Sequence, residues 1–229
     1  MQNVQKNKKL KMKLFIIFII FSLLSGSSFN GLETKFNLDT KSSKVIWWAN
    51  KSSGSFHNGF INLDNNSYIV MNQDPNSPID ISGGEIVIDM HSITCYDITN
   101  EGSNKALVSH LKNEDFFDVE NFPRAILKFT EAIEKTNGQI LIKGNLTILE
   151  QTHSVEFISN PTFWTDENGE LIAGFKAEGV IPIDRALYCV KYKSKTWYKN
   201  LGDHFIDDIF YLYFSIISTD FDIISENKS

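Results

Sequence analysis

The sequence predicts an all-β protein built on an antiparallel sheet, and two observations carry this. From about Lys44 onward, apolar residues recur with a period of two in roughly eight segments, the spacing of strands with one buried face. The segments are separated by polar turns such as KSSG at 51–54, EKTNG at 134–138 and DENG at 166–169, with no regular strand–helix–strand alternation of the kind a parallel sheet needs. A length of 229 residues, 42% hydrophobic and 22% charged, suits a single globular domain with a substantial core.

The first 28 residues form a separate object. KNKKLKMK is basic, LFIIFIIFSLL from Leu14 to Leu24 is apolar, and SGSS from Ser25 to Ser28 is small, the order of a secretory signal peptide. The apolar run is shorter than the ~20 residues of a spanning helix. The expected organisation is therefore a signal peptide over 1–28 and one domain over 29–229, periplasmic or secreted. Loss of Lys6, Lys8, Lys9, Lys11 and Lys13 takes the formal charge from −6 to −11. A chain that acidic disfavours nucleic acid and anionic headgroups as partners. Cys95 and Cys189 are compatible with one disulfide or with two buried free thiols.

KVIWWAN (44–50) and SGSFHNGFINL (53–63) read as a hairpin. In its second strand His57, Gly59, Ile61 and Leu63 share one face, and Phe56, Asn58, Phe60 and Asn62 the other. MNQDPNSPIDISG (71–83), with two prolines, reads as an irregular loop. GEIVIDMHSI (84–93) follows as a strand, with Ile86, Ile88 and Met90 on one side and Asp89 and His91 opposite. SNKALVSHLKNEDFF breaks the period. Ser103 is a candidate N-cap and Leu107 and Leu111 stand one turn apart, which predicts a short helix ending near Asn113. RAILKFTEAI, GQILIKGNLTIL, HSVEFISNP, ELIAGFKAEGVIPI and the long apolar HFIDDIFYLYFSII complete the strands. A sheet this apolar on one side must close into a barrel or pack on a second sheet, and pattern alone leaves both open.

Between helix and strand, EDFFDVENFPR (114–124) alternates acids with phenylalanines. Phe116, Phe117, Val119 and Phe122 are expected to bury against a rim while Glu114, Asp115, Asp118 and Glu120 face water. Pro123 delivers the chain extended into the next strand.

LVSHLKNEDFFDVENFPRAILKF resembles the hallmark segment of the YceI-like family, a leucine-containing helix followed by an FF-D-V elbow and a proline. The similarity extends in order through SKVIWWANK with GSFHNGFINL, GGEIVIDMHSITCYD, GNLTILEQTHSVEF, FKAEGVIPIDRALYCVKY and LGDHFIDDIFYLYFSI. The chain departs from the pattern at Leu149 and Glu150, where the family often has His-Gly, and at Cys189, where it often has Gly. The resemblance implies an eight-stranded antiparallel lipocalin-like barrel capped by a short helix, exported, with an apolar tunnel for a polyisoprenoid or other long amphiphile. On that footing Trp47 or Trp48, Phe60, Ile88, Phe129, Leu146, Phe175, Phe210, Leu212 and Phe214 are expected to face inward. Phe116 and Phe117 are expected to touch both the rim and the bound chain.

Motifs for catalysis or cofactors are missing. HExxH, CxxC, GxSxG and a phosphate-cradling glycine loop do not occur, so no catalytic residue, metal or cofactor is assigned. His57 and His91 could converge with Asp89 or Asp97, and Asp97, Asp184 and Arg185 read as an ion-paired barrel mouth. The expected function is an exported carrier that sequesters an isoprenoid-like or fatty amphiphile. An enzyme using the barrel as a hydrophobic chamber, and a solid-cored stress protein without ligand, are the alternatives.

Overall fold

Ten strands form one continuous antiparallel sheet that closes on itself. The computed structural model describes residues 32–73, 80–169, 171–202 and 204–226. The strands are β1 (Leu32–Leu38), β2 (Lys44–Lys51), β3 (Phe56–Leu63), β4 (Tyr68–Gln73), β5 (Asp80–Asp89), β6 (Arg124–Glu134), β7 (Ile140–Ile148), β8 (Gln151–Thr165), β9 (Ile172–Asp184) and β10 (Ile206–Glu226), and the helix α1 spans Glu101–Lys112. The expected signal peptide and the centre of the 71–83 segment lie outside the described residues.

Ten strands make eight staves. Along β10, Ile206 to Ser215 pair with β2 and Ser218 to Glu226 pair with β1, so β1 and β2 form one stave end to end. β3 and β4 form the next, paired with β2 and β1 respectively and both with β5. β5 to β10 then follow as simple neighbours, with the β5–β6 pairing completing the circuit. The predicted barrel is therefore the structure, and the open alternative of a two-sheet sandwich is not.

Three boundaries differ from the sequence reading. β1 and β4 were not expected. Yet Leu32, Thr34, Phe36 and Leu38 alternate inward with exposures of 0–6%, as do Ile69, Met71 and Gln73 in β4. Polar Thr34 and Gln73 mask the period, and they satisfy one another inside: Gln73 Nε2 donates to Thr34 Oγ1 at 3.0 Å, and Gln73 Oε1 accepts from Ile172 N at 2.5 Å. The irregular loop expected over 71–83 is accordingly strand at both ends, and β10 runs nine residues beyond Ile217. The N-cap of α1 is Asn100, whose Oδ1 accepts from Ser103 N at 2.9 Å. Ser103 itself lies within the first turn.

After β5 the chain turns through a 3-10 segment (Met90–Ser92), and residues 92–97 run beside β3 where β5 no longer reaches. Thr94 N donates to Phe60 O and Tyr96 N to Asn58 O, and Trp47 Nε1 donates to Thr94 O at 2.8 Å. Gly59 permits this approach. A Cβ there would stand 1.8 Å from Thr94 O and 2.7 Å from Trp47 Nε1. Gly59→Ala is therefore expected to lower stability by about 3 kcal/mol. Gly83→Ala, with open space around it, should change the unfolding midpoint little. Denaturant melts of the two variants check this.

Candidate ligand-binding cavity

Barrel closure turns one face of every stave inward. The resulting interior holds a cavity of about 90 Å³ that runs from Ile88, Ile183 and Leu212 near the capped end to Met71, Ile81 and Phe163 near the other. Its walls come from alternate residues of the strands: Ile140, Ile142 and Leu146 of β7, Val155, Phe157, Ser159 and Phe163 of β8, Phe175, Ala177, Ile181 and Ile183 of β9, and Leu212, Phe214 and Ile216 of β10. Among the described residues of this wall, Ser159 supplies the one polar side chain. Edge-to-face contacts of Phe157 with Phe214 (5.6 Å) and of Phe36 with Phe175 (5.8 Å) fix the aromatic shapes.

Of the residues expected to face inward, Ile88, Phe129, Leu146, Phe175, Leu212 and Phe214 line the cavity. Five of the expected ligand-contacting residues do not. Phe60 is 42% exposed and packs against Tyr96 on the outside, because strand alternation places it with Phe56, opposite Ile61 and Leu63. Trp47 is buried on the inward face at the register of Leu212, with its Nε1 bonded to Thr94 O, but it does not line the cavity. Phe210 packs on the core at the register of Ala49 and Ile183, one inward step from Leu212 toward the capped end. Phe116 and Phe117 belong to the cap.

Sequence reasoning missed Val45, Met71, Ile140, Ile142, Phe157, Ile181 and Ile183 among the lining residues. For Ile140 and Ile142 the signal was available, since both fall on the alternation that contains Leu146.

The cap closes one end. Phe116 and Val119 are buried, Phe117 and Phe122 half-buried, and Glu114, Asp115 and Glu120 exposed. Asp118 is half-buried, not fully in water. It adopts φ +40° and its carboxylate accepts from Asn121 Nδ2. Phe116 packs on His110 (5.0 Å) and Tyr192 (5.2 Å), so the elbow is a plug held by side chains of α1 and the β9–β10 loop.

Arg185 anchors that loop. It is 4% exposed, and its guanidinium donates to the carbonyls of Asp207, Val190, Tyr192 and Ile206 at 2.9–3.1 Å while pairing with Asp208 at 3.5 Å. The expected ion pair at the mouth exists, but Asp208 is the partner. Asp184 instead accepts from Ala186 N.

His57 does meet Asp97, Nδ1 to Oδ2 at 2.8 Å, whereas His91 lies in the 3-10 turn with its own N–H bonded to Asp89. Cys95 Sγ donates to Asp97 Oδ1 at 3.2 Å, and Asn58 N donates to the same oxygen at 2.9 Å. Among the described residues His57, Cys95 and Asp97 form a group close enough to hold a metal ion. Lys51 Nζ lies 2.6 Å from His57 Nε2. That ammonium makes Nε2 the acceptor and leaves the proton on Nδ1, facing Asp97. The group so arranged is a hydrogen-bonded clamp between β3 and the 92–97 segment. Burial pushes the Asp97 carboxyl up, but hydrogen bonds from Asn58 N, His57 and Cys95 outweigh it and hold the carboxyl below its ordinary value. Burial, followed by Asp97, pushes the Cys95 thiol up. Both cysteines are free, Cys95 buried and Cys189 exposed, so the pair of buried thiols is corrected at Cys189.

Residues 36–216 match the family model of the YceI-like domain. UPF0312 proteins of Vibrio cholerae are 32% identical over 79 residues, a match covering 34% of this chain and 39% of the relatives' length. The fold is similar to that of Burkholderia cenocepacia BcnA (TM-score 0.58, 18% identity, covering 80% of this chain and 100% of that one). It is also similar to a polyisoprenoid binding domain of Saccharophagus degradans implicated in plant cell wall breakdown (TM-score 0.54, 10% identity, 83% and 99% covered).

Two outcomes follow from the cap and the clamp. Phe116→Ala is expected to cost about 3–5 kcal/mol, read as a lowered unfolding midpoint, because the ring fills packed structure. A depressed carboxyl contributes stability above its unfolded value, 3.8 for Asp97, and that contribution is lost as pH falls through the lower folded value. Asp97→Asn should therefore destabilise the chain at neutral pH and shrink the stability difference between neutral pH and about pH 2, as measured by urea melts of both proteins across that range. An unchanged difference would exclude the carboxylate as the clamp.

Proposed function

The chain belongs to the YceI-like family, and from that membership and the cavity we propose that it is a lipid-binding protein, holding one long apolar or amphiphilic chain inside the barrel. The observation that carries this reading is the wall, which offers a bound molecule aliphatic and aromatic carbon along its length and a single hydroxyl, Ser159. Each CH₂ moved from water into such a wall contributes about 0.8 kcal/mol. Affinity of this kind is non-directional, so chain length sets it more than chemical detail. The apolar lining matches the chemistry of an isoprenoid-like or fatty chain, and the polyisoprenoid binding of the Saccharophagus degradans domain supports the isoprenoid class.

Among the described residues, those lining the cavity are apolar apart from Ser159, the wall a carrier of an apolar chain requires. The basic, apolar and small order of residues 6–28 supports export, and with it a carrier role in the periplasm or outside the cell.

The test is native mass spectrometry of the full chain from its own source, with organic extraction of what dissociates. A co-purifying long-chain lipid is expected. Ala177→Trp, which places an indole in the cavity, should abolish the bound mass and lower the unfolding midpoint toward that of the delipidated wild type, since the stabilisation contributed by a bound ligand is lost with it. Retention of the same lipid by that variant would place the lipid elsewhere and sink the proposal.

A further inference from the structure

The loop between β9 and β10 runs against the charge of the rest of the chain. The loop, residues 185–205, contains Arg185, Lys191, Lys193, Lys195 and Lys199 against a single acid, Asp203, within a protein of formal charge −6. All four lysines are exposed, and beside them stand large apolar side chains that water does not favour: Leu187 at 50%, Tyr198 at 49% and Trp197 at 44% exposure. Lys191 lies over the Trp197 ring at 4.4 Å and Lys195 over Phe205 at 4.4 Å. Amphipathic aromatics interleaved with lysines are the composition of a membrane–water interface, where the rings settle at headgroup depth and the ammonium groups reach anionic lipid.

Net charge is a poor guide to this surface. Exposed charges more than about 10 Å apart are largely screened at 0.1 M salt, so the local group decides what binds locally. Of the acids flanking the lysines, Asp184, Asp207 and Asp208 are half-buried, and Asp208 is engaged by Arg185 and Thr196; Asp203 lies outside the described residues. The cap acids Glu114, Asp115 and Glu120 are exposed at this same end of the barrel.

We propose that the 187–199 loop docks the capped end of the barrel onto an anionic lipid bilayer, with Trp197, Tyr198 and Leu187 entering the headgroup region and the four lysines meeting the anionic groups. Arg185 presents the loop as a fixed surface through its four carbonyl bonds. Tyr192, in the same loop, contacts both His110 (4.4 Å) and Phe116 (5.2 Å), so docking would bring the cap to the membrane. That consequence for lipid exchange rests on the lipid-binding reading, whereas docking itself does not.

The experiment uses the full chain and vesicles of phosphatidylglycerol with phosphatidylcholine, or of phosphatidylcholine alone, carrying bromine on the acyl chains to quench inserted tryptophan. Trp47 is buried, Trp48 is stacked on Phe56, and Trp164 stands at the opposite end of the barrel. The apolar N-terminal segment is present in every variant and cannot create a signal specific to Trp197. Quenching is expected on anionic vesicles and is expected to be weak on zwitterionic ones. It should be lost in Trp197→Phe, kept in Trp164→Phe, and lost when Lys191, Lys193, Lys195 and Lys199 are changed to Glu. It should also be lost near 1 M salt, where screening acts within about 3 Å. Equal quenching on both vesicles, its survival in Trp197→Phe, or its survival when the four lysines are reversed would overturn docking. Mass spectrometry of the same samples separates the two readings: a lipid-filled chain that does not dock sinks the docking proposal alone, and a docking chain empty of lipid sinks only the carrier.

Discussion

Closure of the sheet is the constraint on which the rest depends. β10, 21 residues long, spans the seam alone: one edge pairs with β9, and the other pairs first with β2 and then with β1. Every described strand has a partner on both sides, which satisfies the backbone around the circuit, while β5 before Glu85 and β6 after Lys128 pair on one side only. Closure also dictates the interior. Every inward position then faces other inward positions across a width that eight staves barely fill. Large residues such as Phe157, Phe163, Phe175 and Phe214 therefore meet without filling the space completely, while Ala177 on the same wall leaves room.

The fold was legible because closure imposes a simple code, one apolar residue in every two, on most strands. It was illegible where a polar pair answers the code as well as an apolar one. Thr34 and Gln73 bury together and bond each other, which hid β1 and β4 from a reading based on hydropathy. The same code placed Phe60 outside through Ile61 and Leu63, yet the family resemblance drew that aromatic into the tunnel. Residue type was allowed to outweigh register there, and a one-residue change of parity reverses the face. The helix start was one turn-position problem of the same kind. Asn100 and Ser103 are both good N-caps, and only the bond from Ser103 N to Asn100 Oδ1 distinguishes the capping residue from the capped one.

The candidate site divides along similar lines. Phe129, Leu146, Phe175, Leu212 and Phe214 could be placed on the wall because they lie in strands. Phe116 and Phe117 could not, because a plug and a wall demand the same apolar residues and differ only in what lies on the far side. Here the far side of Phe116 is His110 and Tyr192. The partners of Arg185 were equally hidden. Its guanidinium is spent mostly on main-chain carbonyls, Asp207, Val190, Tyr192 and Ile206, which no side-chain motif announces.

An interior so nearly devoid of polar groups also limits what a ligand can be. An ionised headgroup drawn into it would lose its hydration and find only the Ser159 hydroxyl in return, a cost of several kcal/mol for a charged group. Any charged end of a bound amphiphile is thus confined to one extremity of the cavity. One extremity is the cap, with Phe116, Val119 and Tyr192 packed together and Arg185 already engaged. The other is ringed by Phe36, Phe163 and Phe175, beside the paired Thr34 and Gln73. Neither end offers a described unpaired cation aimed inward, so on the proposed lipid-binding reading recognition would rest on the chain of the ligand more than on its head. If the barrel holds a lipid as proposed, it would distinguish length and shape and tolerate variety in whatever the chain is attached to.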